Sequence, residues 1–257
     1  MKVNVKVKGI KRGTNINDIV VPDQLRRRIK TGFEMWDAAI AAGDDAQGMV
    51  PSTVFMLTGG PGTGKSTMLR QMADSIVAQG HMAIYNSGEE SLYQVKMTVE
   101  RMGLKHGFLV GQDTQALEVI AYAEAVMKAN PGKLVFVLID SLQTMDDGFY
   151  ADGTTNSKTP GRVTEILVDW AKKTYNIVVF IGQCNKDGDF HGENKIKHAV
   201  DGHVHCYFDK SKKSETYGER IMEVQKNRFG MSGKSIIYGI GKAGAYEKGE
   251  VTYGAEA

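Results

Sequence analysis

Cysteine is almost absent. Cys184 and Cys206 are the only two in 257 residues, and they form no C-x-x-C pair. That excludes a disulfide framework and suits a reducing compartment. Long apolar runs are also missing. Residues 134–139 (LVFVLI) are typical of the longest, far short of the roughly 20 residues that span a bilayer. The opening MKVNVKVKG carries no apolar core of the secretory kind. Neither sign of charge is in excess: 32 Lys and Arg stand against 30 Asp and Glu, a net +2. A nucleic-acid surface would therefore be local rather than global. These absences leave no membrane partner and an expected cytoplasmic location.

Glycine, by contrast, is abundant: 30 of 257 residues, about 12% against the usual ~7%. The densest cluster is GGPGTGKST, with Gly59, Gly60, Pro61, Gly62, Thr63, Gly64, Lys65, Ser66 and Thr67 in line. It fits the phosphate-binding pattern G-x-x-x-x-G-K-[ST] at Gly59, Gly64, Lys65 and Ser66. The glycines let backbone N–H groups close around phosphate oxygens. Lys65 reaches the β- and γ-phosphates of ATP, and the Ser66 hydroxyl is a ligand for Mg²⁺. The context agrees. The apolar stretch 53–58 reads as a strand entering the loop. Met68, Leu69, Met72, Ala73, Ile76 and Val77 recur at helical spacing after it, up to Gly80.

Strands and helices then alternate. Strands are predicted at 82–86, 108–110, 134–139 and 177–181, and helices at 91–102, 114–128 and 161–174. The uninterrupted apolar run 134–139 suits the centre of a parallel sheet. Strands at 204–208, 220–225 and 235–238 follow without helices between them, which predicts a late antiparallel extension. The Gly-rich stretch from Gly239 reads as poorly ordered. Ahead of the loop lie an alternating strand around Val3, Val5 and Val7, a basic run 26–30 that reads as a solvated helix face, and a short helix over 33–42.

Asp140 ends the strand 134–139, where a carboxylate downstream of a phosphate loop holds Mg²⁺. Two acids follow the strand 82–86. Ser87 and Glu90 have capping-box spacing, which would engage Glu90 with helix N–H groups and leave Glu89 to activate water. Gln183 follows the strand 177–181 and is placed to sense the γ-phosphate. Lys226 and Arg228 lie two apart, so they share one strand face. By spacing alone they read as a solvated basic strand end, with charge-stabilising fingers as the alternative. His203, His205 and Cys206, with Cys184 elsewhere, fit no common zinc spacing. The polar segments 144–160 and 185–199 both follow apolar strands, where α/β sheets bind ligands.

Taken together, GGPGTGKST, YNSGEESLYQVKMTVERMGL, VLIDSLQTM, NKDG and KNRFG resemble, in order, the ATPase core of the bacterial RadA (Sms) family of the RecA superfamily. The resemblance implies an α/β, RecA-like P-loop NTPase core over residues 31–246: a mostly parallel central sheet, helices on both faces and antiparallel strands at the C-terminal edge. Residues 1–30 would then form an oligomerisation arm and 247–257 a flexible tail. The resemblance implies a DNA-stimulated ATP hydrolase, assembled as a hexameric ring or helical filament. Its role would be that of a helicase or branch-migration motor on single-stranded or branched DNA in recombination, repair or replication, alongside replication or repair proteins. It implies Glu89 as the catalytic glutamate and Lys226 and Arg228 as cations reaching a neighbouring subunit's nucleotide. It also implies DNA-facing loops in which Lys186 leads and Lys158, Arg162, Lys195 and Lys197 follow. Contacts of that kind are salt-sensitive and largely sequence-independent. The family's four-cysteine zinc module and Lon-protease-like domain have no counterpart in this sequence, so a compact, phage-type core is expected. Gln183 departs from the family's usual His-initiated stretch towards the RecA recombinases, which leaves a strand-exchange filament open as an alternative. An ATP-switched scaffold is a third reading.

Overall fold

The computed structural model describes residues 10–43, 45–150, 152–183 and 193–251. Cys184, Lys186 and the strand expected around Val3–Val7 lie outside them. A 3-10 turn (Ile16–Asp18) and two short helices, α1 (Asp23–Arg26) and α2 (Glu34–Ala39), precede β1 (Val54–Gly59). The chain continues through α3 (Lys65–Ala78), β2 (Met82–Ser87), α4 (Leu92–Met102), β3 (Leu109–Gly111), α5 (Ala116–Ala129) and β4 (Val135–Asp140). Next come α6 (Thr159–Thr174), β5 (Ile177–Gln183), α7 (Glu193–Ala199), β6 (Gly202–Phe208), β7 (Arg220–Asn227), β8 (Ser235–Gly241) and β9 (Gly244–Glu250).

The nine strands form one sheet in the order β3-β2-β4-β5-β1-β6-β7-β8-β9. β1 is flanked in parallel by β5 and β6, and it is buried along its whole length. Alternation splits its side chains between two cores. Phe55 and Leu57 join Trp36, Met49, Leu69, Met72, Tyr85 and Tyr238 on one face, whereas Val54 and Met56 join Val119, Val137, Leu167, Trp170 and Phe180 on the other. Each such side chain, fully buried, stabilises the fold by about 1.5–3 kcal/mol. Residues on both faces explain why β1, β4 and β5 read as continuous apolar runs.

Helix ends follow local chemistry. Ser91 caps α4 in a reciprocal capping box with Gln94, and Gly103, at φ 71°, closes it. Of the box expected between Ser87 and Glu90 only half forms: Ser87 Oγ accepts from the Glu90 N–H at 3.3 Å, but Ser87 is still the last residue of β2 and the Glu90 carboxylate turns to Arg70. Two further expectations are corrected. β6 is parallel to β1, so the antiparallel extension begins only at β7. The stretch from Gly239 is an ordered hairpin, β8–β9, and residues 247–250 belong to a strand and not to a tail. Gln71 of α3 pins it, donating to the Ala245 carbonyl (3.1 Å) and accepting from the Ala245 N–H (2.7 Å). Nor is the basic run simply solvated: Arg28 donates to the carbonyls of Gly48, at 2.9 Å, and Phe229.

Candidate active site

The carboxyl ends of β1, β2, β4 and β5 meet at one rim of the sheet, and the predicted residues gather there. A cavity of about 520 Å³ is lined by Gly59, Lys65, Ser66, Glu89, Asp140 and Gln183 among others. Gly64, at φ 90°, starts α3 without a side-chain cap. The helix thus begins at the cavity wall, where Gly64, Lys65, Ser66 and Thr67 all line the space, a geometry that suits an anion at the helix N-terminus. Gly59 is required for a different reason. A Cβ there would lie 2.1 Å from the Cys206 carbonyl oxygen, so the loop leaves β1 pressed against β6. Tyr238 donates to the Thr63 carbonyl at 2.7 Å and braces the loop from β8, and Thr63 donates to the Gly60 carbonyl at 2.8 Å. The Lys65 ammonium donates to the carbonyls of Gly59 (2.7 Å) and Gly60 (3.1 Å), folded back over the loop.

Asp140 is buried and takes hydrogen bonds from Ser66 and from the Tyr85 hydroxyl, the latter at 2.6 Å. Burial pushes its carboxyl above the usual carboxylate range. The Tyr85 and Ser66 hydrogen bonds and the Arg70 charge oppose that shift, and the nearby Glu89 charge adds to it. A hydroxyl and a carboxylate in contact at the mouth of a phosphate cradle are hard oxygen donors suited to Mg²⁺. Glu89 is exposed, and its Oε1 accepts from the Ser141 hydroxyl and from Gln183 Nε2, the latter at 2.6 Å. Glu90 is engaged elsewhere, as expected, but its partner is Arg70 at 2.7 Å and not the helix N–H groups.

Lys226 and Arg228 lie at the other rim. β7 runs antiparallel to β6, with Asn227 opposite Gly202 and Arg220 opposite Phe208. β7 has eight residues, which at ~3.3 Å each separate its ends by about 25 Å. Arg228 therefore cannot reach the cavity of its own chain. It pairs instead with Asp201 at 2.8 Å. Lys226 donates to the carbonyls of Lys197 (2.6 Å), His198 (3.3 Å) and Val200 (2.7 Å), closing the end of α7. Burial and the Arg228 charge lower its pKa.

The basic candidates for nucleic acid converge only in part. Lys195 on α7 pairs with Glu165 of α6 at 2.9 Å, and its stem lies against Gly161. Arg162 is held inside the chain by Asp147 and stacks over Phe149 with 4.7 Å to the ring centroid. Lys158 is exposed at the start of α6, Lys197 is half-buried on α7, and Lys186 lies outside the described residues. His203 and His205 both hydrogen-bond the Thr58 hydroxyl, at 2.6 and 2.8 Å.

Several residues were not singled out from the sequence. Tyr85 was signalled only as the one aromatic of its strand, and Arg70 as a cation on an apolar helix face. Gln143 accepts from the Gln183 N–H at 3.0 Å. Arg220 lines the cavity from β7, stacked on Phe208 at 4.7 Å, with its Nε buried and without a hydrogen-bond partner among the described residues.

Residues 29–246 match the family described as ATPase: KaiC. The chain belongs to that family. This KaiC-type ATPase is similar to the DNA repair protein RadA of Brucella abortus, at 31% identity over 209 residues (78% of this chain, 42% of RadA). It is likewise similar to RadA of Bacillus subtilis, at 31% over 223 residues (86% of this chain, 45% of RadA). It thus spans less than half the length of these relatives. Among solved structures, an ATPase domain from another protein superposes with a TM-score of 0.69 at 14% identity, covering 84% of this chain and 89% of that one. A DnaB-like replicative helicase superposes with a TM-score of 0.64 at 14% identity, covering 75% and 56%. These two neighbours establish the RecA-like fold of the KaiC-type domain. Among its described residues no helix is long and apolar enough to cross a membrane.

Proposed function

We propose that this KaiC-type ATPase is a nucleic-acid-stimulated motor of the RadA kind. It would act on single-stranded or branched DNA in recombination, repair or replication, with ATP bound between subunits of a homo-oligomer in the cytoplasm. One observation carries the reading: the start of α3, Ser66, Asp140 and Glu89 line one cavity of one chain, while Arg228 sits at the opposite rim. A site built this way is completed by a second copy.

The N–H groups at the start of α3 cradle the phosphates, and Lys65 turns from the loop carbonyls to the β- and γ-oxygens. Ser66 and Asp140 would hold Mg²⁺, which would supply charge neutralisation for the transferring phosphoryl group. Glu89 orients the attacking water and takes its proton. Gln183 links Glu89 to the segment after β5, where Lys186 is the leading candidate for a DNA-phosphate contact. Lys158, Lys195, Lys197 and Arg162 are secondary, and Arg162 must first exchange Asp147 for phosphate. Arg228 of an adjoining copy, supported by Lys226, stabilises charge developing at the γ-phosphate. The Gln183–Glu89 hydrogen bond favours a second reading as well, a strand-exchange filament, since it ties hydrolysis directly to the segment that would face DNA.

The deciding experiment is ATP hydrolysis with and without single-stranded, branched and duplex DNA at two salt concentrations. Stimulation that fades with salt is expected, and Glu89→Gln should abolish turnover while sparing ATP binding. Hydrolysis indifferent to every nucleic acid would overturn the motor reading in favour of a nucleotide-switched scaffold. Electron microscopy with DNA and a non-hydrolysable analogue separates rings from filaments.

A further inference from the structure

Behind the cavity wall, a chain of hydrogen bonds joins three elements of the site. Arg70 projects from the phosphate-loop helix α3 and is 3% exposed, and Tyr85 on β2 is fully buried. Arg70 Nε donates to the Tyr85 hydroxyl at 3.1 Å, and that hydroxyl donates to Asp140 Oδ2 at 2.6 Å. The other arm of the same guanidinium, Nη2, donates to Glu90 Oε1 at 2.7 Å. Glu90 directly follows Glu89. Its turn is fixed further by Ser87, which donates to the Glu90 carbonyl at 2.8 Å.

The direction of these bonds matters. A tyrosine hydroxyl has one hydrogen, and here Asp140 receives it. Arg70 has only donors, so it cannot compete for Asp140 Oδ2 through the hydroxyl. It can only polarise Tyr85 towards the carboxylate. Oδ2 of Asp140 is thus committed to Tyr85, while the same carboxylate also takes a hydrogen bond from Ser66 and lines the cavity. Because the guanidinium is planar and rigid, its two arms fix the turn carrying Glu89 relative to Asp140.

We propose that Arg70 and Tyr85 are positioning residues: Tyr85 orients the Asp140 carboxylate for a divalent cation, and Arg70 sets the spacing between that carboxylate and Glu89. This inference rests on the reading of the cavity as an ATP site with Ser66 and Asp140 as metal ligands. Neither residue lines the cavity, so each affects metal capture and the geometry of water attack while leaving the phosphate cradle alone.

The test compares the full chain with Tyr85→Phe, Arg70→Leu and the double variant. Mn²⁺ binding is titrated by electron paramagnetic resonance in the presence of a non-hydrolysable ATP analogue, and analogue affinity is measured separately in EDTA. Hydrogen bonds to charged groups of this kind predict Mn²⁺ binding weakened about tenfold in Tyr85→Phe. Affinity in EDTA should be unchanged, and hydrolysis should recover at high Mg²⁺. Arg70→Leu should weaken Mn²⁺ in the same way but retain a turnover defect that Mg²⁺ does not repair, because Glu89's turn is also released. The double variant should bind Mn²⁺ no more weakly than the worse single one, as expected for one connected chain. Wild-type Mn²⁺ affinity in a folded Tyr85→Phe would overturn the inference, even if Arg70→Leu fails to fold. A wild-type chain that binds the analogue but no Mn²⁺ would overturn both the inference and the site reading beneath it.

Discussion

Gln183 Nε2 donates to Glu89 Oε1 across 2.6 Å, joining the end of β5 to the turn after β2. The carboxylate proposed to activate water is thereby held by the last described residue before the segment proposed to meet DNA. Gln183→Ala releases it. The expected outcome is basal hydrolysis retained within severalfold, with stimulation by single-stranded DNA lost. Steady-state ATPase assays with and without DNA check this, and full stimulation in the variant would remove Gln183 from the coupling.

Arg228 lies too far from its own cavity to act there, which makes subunit mixing decisive. Arg228→Ala and Glu89→Gln should each be inactive alone. Mixed, they should regain hydrolysis, because a site with an intact Glu89 can receive Arg228 from the other variant. Asp201 is buried, at 1% exposure, but keeps Lys172 at 3.8 Å and the Val54 N–H at 3.1 Å when Arg228 is removed, and a thermal melt of Arg228→Ala separates inactivity from unfolding. No recovery on mixing would refute a shared site.

Asp140 gives a pH signature. Its carboxyl is raised in the folded chain, mainly by burial, so the folded state holds that proton more tightly than the unfolded state. Stability from this group is fully present below the ordinary carboxylate value of about 3.9 and is lost as pH rises through the raised folded value. Asp140→Asn should therefore melt higher than wild type at neutral pH without divalent cations. The gap should shrink as pH falls into the carboxylate range, and Mg²⁺ with ATP should close it by stabilising only the wild type. Thermal melts across pH, with and without Mg²⁺–ATP, supply the comparison.

The hairpin β8–β9 is held to α3 by the reciprocal Gln71–Ala245 pair. Gln71→Ala leaves both backbone groups of Ala245 without that partner, at about 1–3 kcal/mol, or a melting point lowered by several degrees. Turnover per folded molecule should stay near wild type. A variant as stable as wild type would show that the pair contributes nothing net.

Much of the cavity was legible because its signals are local. A strand, a glycine loop and a helix read in sequence, and an acid at the end of an apolar run marks a strand's carboxyl rim. What stayed hidden depends on long-range partners. Ser87–Glu90 and Ser91–Gln94 share one spacing, and only the extent of β2 decides that the second pair caps α4. Arg70 and Tyr85 are fifteen positions apart, and nothing in either neighbourhood announces that Tyr85 bridges Arg70 to Asp140. β6 reads as the start of an antiparallel meander, yet it lies parallel to β1, its leading Asp201 accepting from the Val54 N–H at 3.1 Å. The β8–β9 hairpin was masked by its glycines. Gly239 is needed there because a Cβ would lie 2.5 Å from the Tyr246 ring.

An arginine stands at either limit of β7: Arg220 opens the strand in the chain's own cavity, and Arg228 directly follows its last residue, Asn227, at the far rim. If both meet nucleotide, one stiff strand touches two ATP molecules held by different copies. It then acts as a ruler: its fixed length sets the interval between successive nucleotides around a ring or along a filament. A single inserted residue in β7 would change the pitch of the whole assembly.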